Sequence, residues 1–360
     1  MFRISDCHHN YISHTGKVFT ALSLLLLTPL CLTGCSLGKP EAETEILQEE
    51  KPIQLGMSFD TFVLERWLRD RDVFISSATE LGAEVNVQNA NSDADEQISQ
   101  INYLINKDVD VLVVIAIDGT SDELKASLAK AKNKGIKIIA YDRIIQDADV
   151  DLYISFDNEK VGTLMAEAVL SKIPEDGKIA ALLGSPSDYN VTMVETGIQN
   201  VLKEHDAELV YKNYSDNWKA EYAYEQMNEC LDQVGSVDGV ICGNDGLAAA
   251  AFKSLSEHRL LDNVILVGQD ADIDACQRIV EGTQYMTVYK SIDQLARCAA
   301  ECAVKIAKEE DLNLTETFDD GSHQVPYLKL TPIAVTAENM DEEIISSRFH
   351  LANEVYLNVE

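Results

Sequence analysis

Seven groups of side chains stand just past short apolar runs, and together they have the chemistry to grip a ring of hydroxyls. They are Arg66-Trp67, Asp142-Arg143, Asp188 with Asn190, Trp218, Asn244, Asp270 and Lys290. A sugar hydroxyl donates one hydrogen bond and accepts others, so Asp and Asn meet its proton while Arg and Lys meet its oxygen. Trp67 and Trp218 are the only two Trp in 360 residues. A flat indole offers the apolar C–H face of a pyranose a large contact area with few rotors. Each residue alone has a plainer reading: an Asp or Asn after a strand caps the next helix, Asp142-Arg143 makes an ion pair, and a lone Trp fills a core. Recurrence at seven exits points instead to a site for a neutral polyhydroxylated ring.

Other chemistries find less support. No Ser/His/Asp or Cys/His constellation stands out, and no GxxxxGKS phosphate loop is present. Asp188 and Asp270 could form the carboxylate pair of a glycosidase, but the Arg, Lys and Asn around them speak for balanced hydrogen bonding, so no catalytic residue is assigned. Asp147-Ala-Asp149-Val-Asp151 has alternating carboxylates, yet a calcium loop would need Gly where Leu152 stands and Glu where Asn158 stands. It reads as a solvated acidic turn. Cys298 and Cys302 are four apart, but no further ligand is suitably spaced. They and Cys230, Cys242 and Cys276 read as core thiols, with no metal and no cofactor expected.

These side chains must be positioned by strands that alternate with helices. β-rich apolar runs fall at 53–59, 84–88, 109–115, 136–141, 152–156, 178–183, 208–212, 237–242, 264–267 and 286–289. Between most of them lie stretches such as 63–81, 96–106, 123–134 and 220–233, where apolar residues recur at three and four. Continuous apolar strands alternating with amphipathic helices form parallel sheets covered on both faces. Ten strands exceed one comfortable sheet, so the expected fold is α/β with two doubly wound parallel-sheet lobes. In such sheets ligands bind beyond the strands' C-terminal ends, where the polar groups stand.

The charge balance is 29 Lys+Arg against 61 Asp+Glu, a net −32. That excludes nucleic acid, whose phosphates are bound by Lys and Arg. Residues 18–32 are almost wholly apolar and follow Arg3 and Lys17. This run is short for a membrane span, which needs about 20 residues, and fits the core of a signal peptide over 1–34. It ends in Leu32-Thr33-Gly34-Cys35, which resembles a bacterial lipobox, so Cys35 is the expected lipidation site. Residues 35–52 then form an acidic tether that holds the folded part outside the cytoplasm, anchored to the membrane.

Longer stretches carry a family resemblance. LERWLRDRDVF (64–74), KIIAYDRIIQDADVDLYISFDNEKVG (137–162) and GQDADIDACQRIVEGTQYMTVYK (268–290) resemble the bacterial periplasmic sugar-binding proteins of ABC transporters, and within them those that bind D-xylose. The resemblance implies two lobes of the type I periplasmic binding protein fold, joined by a three-strand hinge. Lobe one would be 53–157 plus 290–321, lobe two 158–289 plus 322–348, and 349–360 a C-terminal tail. It implies D-xylose contacts from Arg66, Asp142 and Arg143 in lobe one, from Asp188, Asn190, Asn244 and Asp270 in lobe two, and from Lys290 at a hinge crossing. Trp67 and Trp218 would be the two plates. The expected protein is a monomer whose partner is an ABC permease or, alternatively, a membrane sensor kinase or chemoreceptor. Tyr189 and Ser291 depart from the family pattern without removing a contact.

Overall fold

The computed structural model describes residues 51–63 and 65–359, so the signal peptide, Cys35 and nearly all of the tether lie outside the described residues. The chain starts with β1 (Ile53–Phe59), α1 (Glu65–Glu80), β2 (Ala83–Asn89), α2 (Ala94–Asn106), β3 (Val111–Val114), α3 (Asp122–Asn133), β4 (Lys137–Tyr141) and β5 (Leu152–Phe156). It continues with α4 (Asn158–Leu170), β6 (Lys178–Leu183), α5 (Tyr189–Leu202), β7 (Glu208–Tyr214), α6 (Ala220–Val234) and β8 (Gly239–Cys242). Next come α7 (Asp245–Glu257), β9 (Ile265–Gln269), α8 (Ile273–Val280), β10 (Met286–Tyr289) and α9 (Ile292–Ala307). The last elements are β11 (Thr317–Asp319), β12 (Gln324–Leu330), β13 (Ile333–Val335) and α10 (Ala352–Val355).

Local chemistry accounts for these elements. Strand β3, Val-Leu-Val-Val, is buried throughout, as a strand covered on both faces requires. Helix α2 starts where the Asp93 carboxylate accepts the Glu96 amide at 3.0 Å. It buries Gln97, Ile101, Leu104 and Ile105, a single stripe at helical spacing.

Two sheets result. The first has the order β11-β12-β5-β4-β3-β1-β2 and the second β13-β10-β9-β8-β6-β7. All pairs are parallel except β11 with β12 and β10 with β13. The cores of the two, 2-1-3-4-5 and 7-6-8-9-10, share one doubly wound order. Its switch points lie between β1 and β3 and between β6 and β8, where such sheets place ligands. Two α/β lobes were expected, and two are present.

The chain crosses between lobes three times: after β5, after β10 and after β12. The Asp157 amide donates to the Leu330 carbonyl at 2.9 Å, which sets the first and third crossings side by side. The position of the third corrects the expected boundary of 321/322. Strand β12 pairs with β5 from Tyr327 to Leu330, so the chain leaves lobe one at Thr331-Pro332. Residues 349–360 are also more than a tail. Phe349 and Val355 are buried with Met340, Ile344, Cys276, Ile279 and Tyr289 in one cluster, because this segment's apolar side chains complete the face of α8. Cys230, Cys242 and Cys302 are buried free thiols and Cys276 is buried. Cys298 is disulfide-bonded, which corrects its reading as a core thiol.

Candidate functional site: a cavity between the two lobes

All ten residues singled out as ligand contacts line one cavity. Arg66 and Trp67 enter from the first turn of α1, and Asp142-Arg143 from the loop after β4. Asp188 and Asn190 come from the start of α5, Trp218 from the turn after β7, Asn244 and Asp270 from the ends of β8 and β9, and Lys290 from the second crossing. The helix-cap reading holds here too, alongside the cavity. Asp188 accepts the Asn190 amide at 3.0 Å and Asn244 accepts the Leu247 amide at 2.8 Å.

The charges inside are balanced although the chain is strongly acidic. Arg66, Arg143 and Lys290 face Asp142, Asp188 and Asp270. Arg66 Nη2 lies 3.3 Å from Asp142 Oδ1 and its Nη1 lies 3.8 Å from Asp270 Oδ1 across the lobes. Arg143 reaches Asp60 at 2.6 Å and, across the lobes, Asp188 at 2.8 Å. Lys290 reaches Asp270 at 2.8 Å. Burial opposes ionisation of Asp142, but the neighbouring Arg66, Lys290 and Arg143 outweigh it and hold that carboxyl below its ordinary value. For Asp188 burial outweighs the pull of Arg143, and its carboxyl is raised. The two guanidiniums lose to burial but gain more from their carboxylates, so both stay charged.

Backbone strain collects at the same places. Asp142 has φ 63°, Asn217 53°, Trp218 58°, Asp270 99° and Ala271 56°, all left-handed values that cost a non-glycine residue on the order of 1–3 kcal/mol. They persist because neighbours hold them. The Asp142 carbonyl accepts from the Ser155 hydroxyl at 2.7 Å and from Asn190 Nδ2 at 3.0 Å. The Ala271 amide donates to the Thr287 hydroxyl at 3.2 Å, and the Ala271 carbonyl lies 2.8 Å from the His350 ring.

Both indoles line the cavity. The Arg66 guanidinium lies 4.3 Å over the Trp67 ring, itself nearly fully buried. Trp218 lies against Gly184: a Cβ there would come within 2.2 Å of the Trp218 ring, so only glycine fits. Trp67 Nε1, Trp218 Nε1 and Gln269 Oε1 are buried with no hydrogen-bond partner among the described residues. Buried polar atoms are rarely left so.

Sequence reasoning passed over three residues. Gln269 stands at an identified strand exit but was not assigned. Asn158, at the first crossing, lines the cavity and donates to Asn190 Oδ1 at 3.0 Å. Gly184 is legible only once Trp218 is known to pack on it. The acidic turn is more ordered than expected: Asp320 Oδ2 accepts the Ala148 and Asp149 amides at 3.0 and 2.8 Å. Among the described residues no cluster of His, Cys, Asp or Glu could hold a metal.

A model of the periplasmic binding protein domain matches residues 56–311. The chain belongs to this family. A D-xylose-binding periplasmic protein of Haemophilus influenzae is 42% identical to it over 311 residues, covering 85% of this chain and 93% of that protein. One from Escherichia coli is 40% identical, covering 87% and 95%. Among solved structures, an ABC transporter solute-binding protein from Clostridium phytofermentans with bound β-D-glucose superposes at a TM-score of 0.77, with 28% identity, over 84% of this chain and 99% of that one. The cavity is lined from both lobes, with Gly184 and Gly243 at the β6–β8 switch point.

Proposed function

We propose that the protein is an extracytoplasmic solute-binding protein that holds D-xylose between its two lobes and delivers it to an ABC permease. The observation that carries this reading is the cavity itself: three cations, three carboxylates, Asn190, Asn244 and two indoles, drawn from both lobes. The two relatives named for D-xylose, at 40% and 42% identity, support the choice of sugar. Lobe closure completes the site, since Arg66 and Arg143 of one lobe reach Asp270 and Asp188 of the other. A sugar that bridges both walls shifts the equilibrium towards the closed form.

Cys35 is the proposed lipid attachment, with residues 35–52 as the tether. Mass spectrometry of protein purified from membranes tests it: a diacylglycerol adduct on Cys35 supports the anchor, and a free N-terminus elsewhere removes it. The sugar reading is tested by intrinsic Trp fluorescence across a panel of pentoses and hexoses. Both Trp line the cavity, so D-xylose should change emission at micromolar concentration. A panel without a responding sugar would refute the reading.

A further inference from the structure

Asp70 lies outside the cavity, yet the geometry ties it to a cavity residue. It follows Arg66 by four positions on α1, which sets both side chains on one helix face. Asp70 is fully buried, and its Oδ2 lies 3.3 Å from Arg66 Nε. Its Oδ1 accepts the hydroxyl of Tyr141. Tyr141 ends β4, directly before Asp142, and Asp142 in turn takes Arg66 Nη2 at 3.3 Å. The four residues therefore close a ring: Arg66 to Asp70, Asp70 to Tyr141, along the backbone to Asp142, and back to Arg66.

That ring leaves Arg66 little freedom. Nε is held by Asp70 from behind and Nη2 by Asp142 from the side, while Nη1 faces Asp270 in the other lobe. A buried carboxylate is costly unless paired and hydrogen-bonded, and burial pushes the Asp70 carboxyl up to about 6 despite the Arg66 charge beside it. Packing alone would be served better by an apolar side chain. We propose that Asp70, locked by the Tyr141 hydroxyl, is a positioning residue that aims the Arg66 guanidinium at one hydroxyl of the bound sugar.

The inference rests on the sugar-binding reading, and its test separates the two. Calorimetry is run with D-xylose and its monodeoxy analogues on wild type, Arg66→Ala, Asp70→Asn and Tyr141→Phe. The analogue on which Arg66→Ala costs least identifies the hydroxyl that Arg66 serves. Asp70→Asn should weaken D-xylose by about 10- to 100-fold, the range for a hydrogen bond to a charged group, and lose most of that effect on the same analogue. Tyr141→Phe should follow the same pattern at smaller size, and it removes only a hydroxyl should Asp70→Asn fail to fold. A purely structural role would weaken every analogue alike, and that result, or unchanged D-xylose affinity in both variants, overturns the proposal. Wild-type protein that binds no xylose would instead overturn the sugar reading and this inference with it.

Discussion

Asn190 of lobe two donates its side-chain Nδ2 to the main-chain carbonyl of Asp142 in lobe one, at 3.0 Å. Its Oδ1 accepts from Asn158 at 3.0 Å, beside the first crossing. One amide thus joins the two walls of the cavity, and it does so at the left-handed residue that carries the Asp142 carboxylate. Asn190 was expected only as a sugar contact, and the structure adds a clasp between lobes.

The clasp has a measurable consequence. In the proposed closure, Asn190→Ala removes an interlobe hydrogen bond that helps hold the lobes together. Affinity for every sugar that closes the lobes should fall by about 10-fold, near the net worth of one hydrogen bond. Calorimetry checks this, and an effect confined to one sugar would mean that direct contact alone explains the residue.

Gly184 fixes the second indole. Gly184→Ala would force the Trp218 ring away from a Cβ built 2.2 Å from it. Sugar binding should fall at least about 10-fold, the scale of an overpacking cost of 1–3 kcal/mol, together with a shift of the Trp emission maximum. An unchanged spectrum and affinity would show that Trp218 does not need this seat.

Asp245 supplies a pH signature. It directly follows the cavity residue Asn244, and its carboxylate accepts from the Thr287 hydroxyl at 2.7 Å, Gln284 Nε2 at 3.0 Å and the Asp272 amide at 3.1 Å. Burial outweighs these donors and pushes the carboxyl up to about 7. The folded form therefore holds a proton that the unfolded chain has released, and stability falls as pH rises from about 4 through 7. Asp245→Asn should flatten that fall, since the amide binds no proton in this range. Urea unfolding of both proteins at pH 5 and pH 8 measures it, and an equal fall in the two would contradict the assignment.

The C-terminal segment should behave as core. Phe349 packs 4.8 Å from Tyr289, its ring lies 4.6 Å from the Arg69 guanidinium, and its carbonyl accepts from Arg69 at 2.6 Å. Phe349→Ala should cost about 3–5 kcal/mol in unfolding free energy. Leu357→Ala, two-thirds exposed, should change it by less than about 0.5 kcal/mol. Equal effects from the two would return 349–360 to the status of a tail.

Ten of the cavity residues were legible in the sequence because they stand past strand-like runs, a repeated signal. The two sheets were legible for the same reason, from Ile53 to Tyr289. Beyond that point the signal fades. Strand β11 has three residues, and β12 carries Pro326, which is tolerated because Tyr327 to Leu330, not Pro326, pair with β5. The boundary at Thr331 was therefore missed. The C-terminal segment was missed because Met340, Ile344, Phe349 and Val355 follow no regular period; only α8 and β10 bring them together. Asp70 gave no sign because an Asp at i+4 from an Arg on a helix reads as a surface pair.

Whether the cavity is built for D-xylose is decided by titration calorimetry of the purified protein with D-xylose and D-glucose, since glucose differs by one exocyclic hydroxymethyl group. Tight, one-to-one binding of D-xylose is expected, with affinity for D-glucose at least about 10-fold weaker. Equal affinity for the two sugars, or no heat with D-xylose, would show that the cavity serves another ligand.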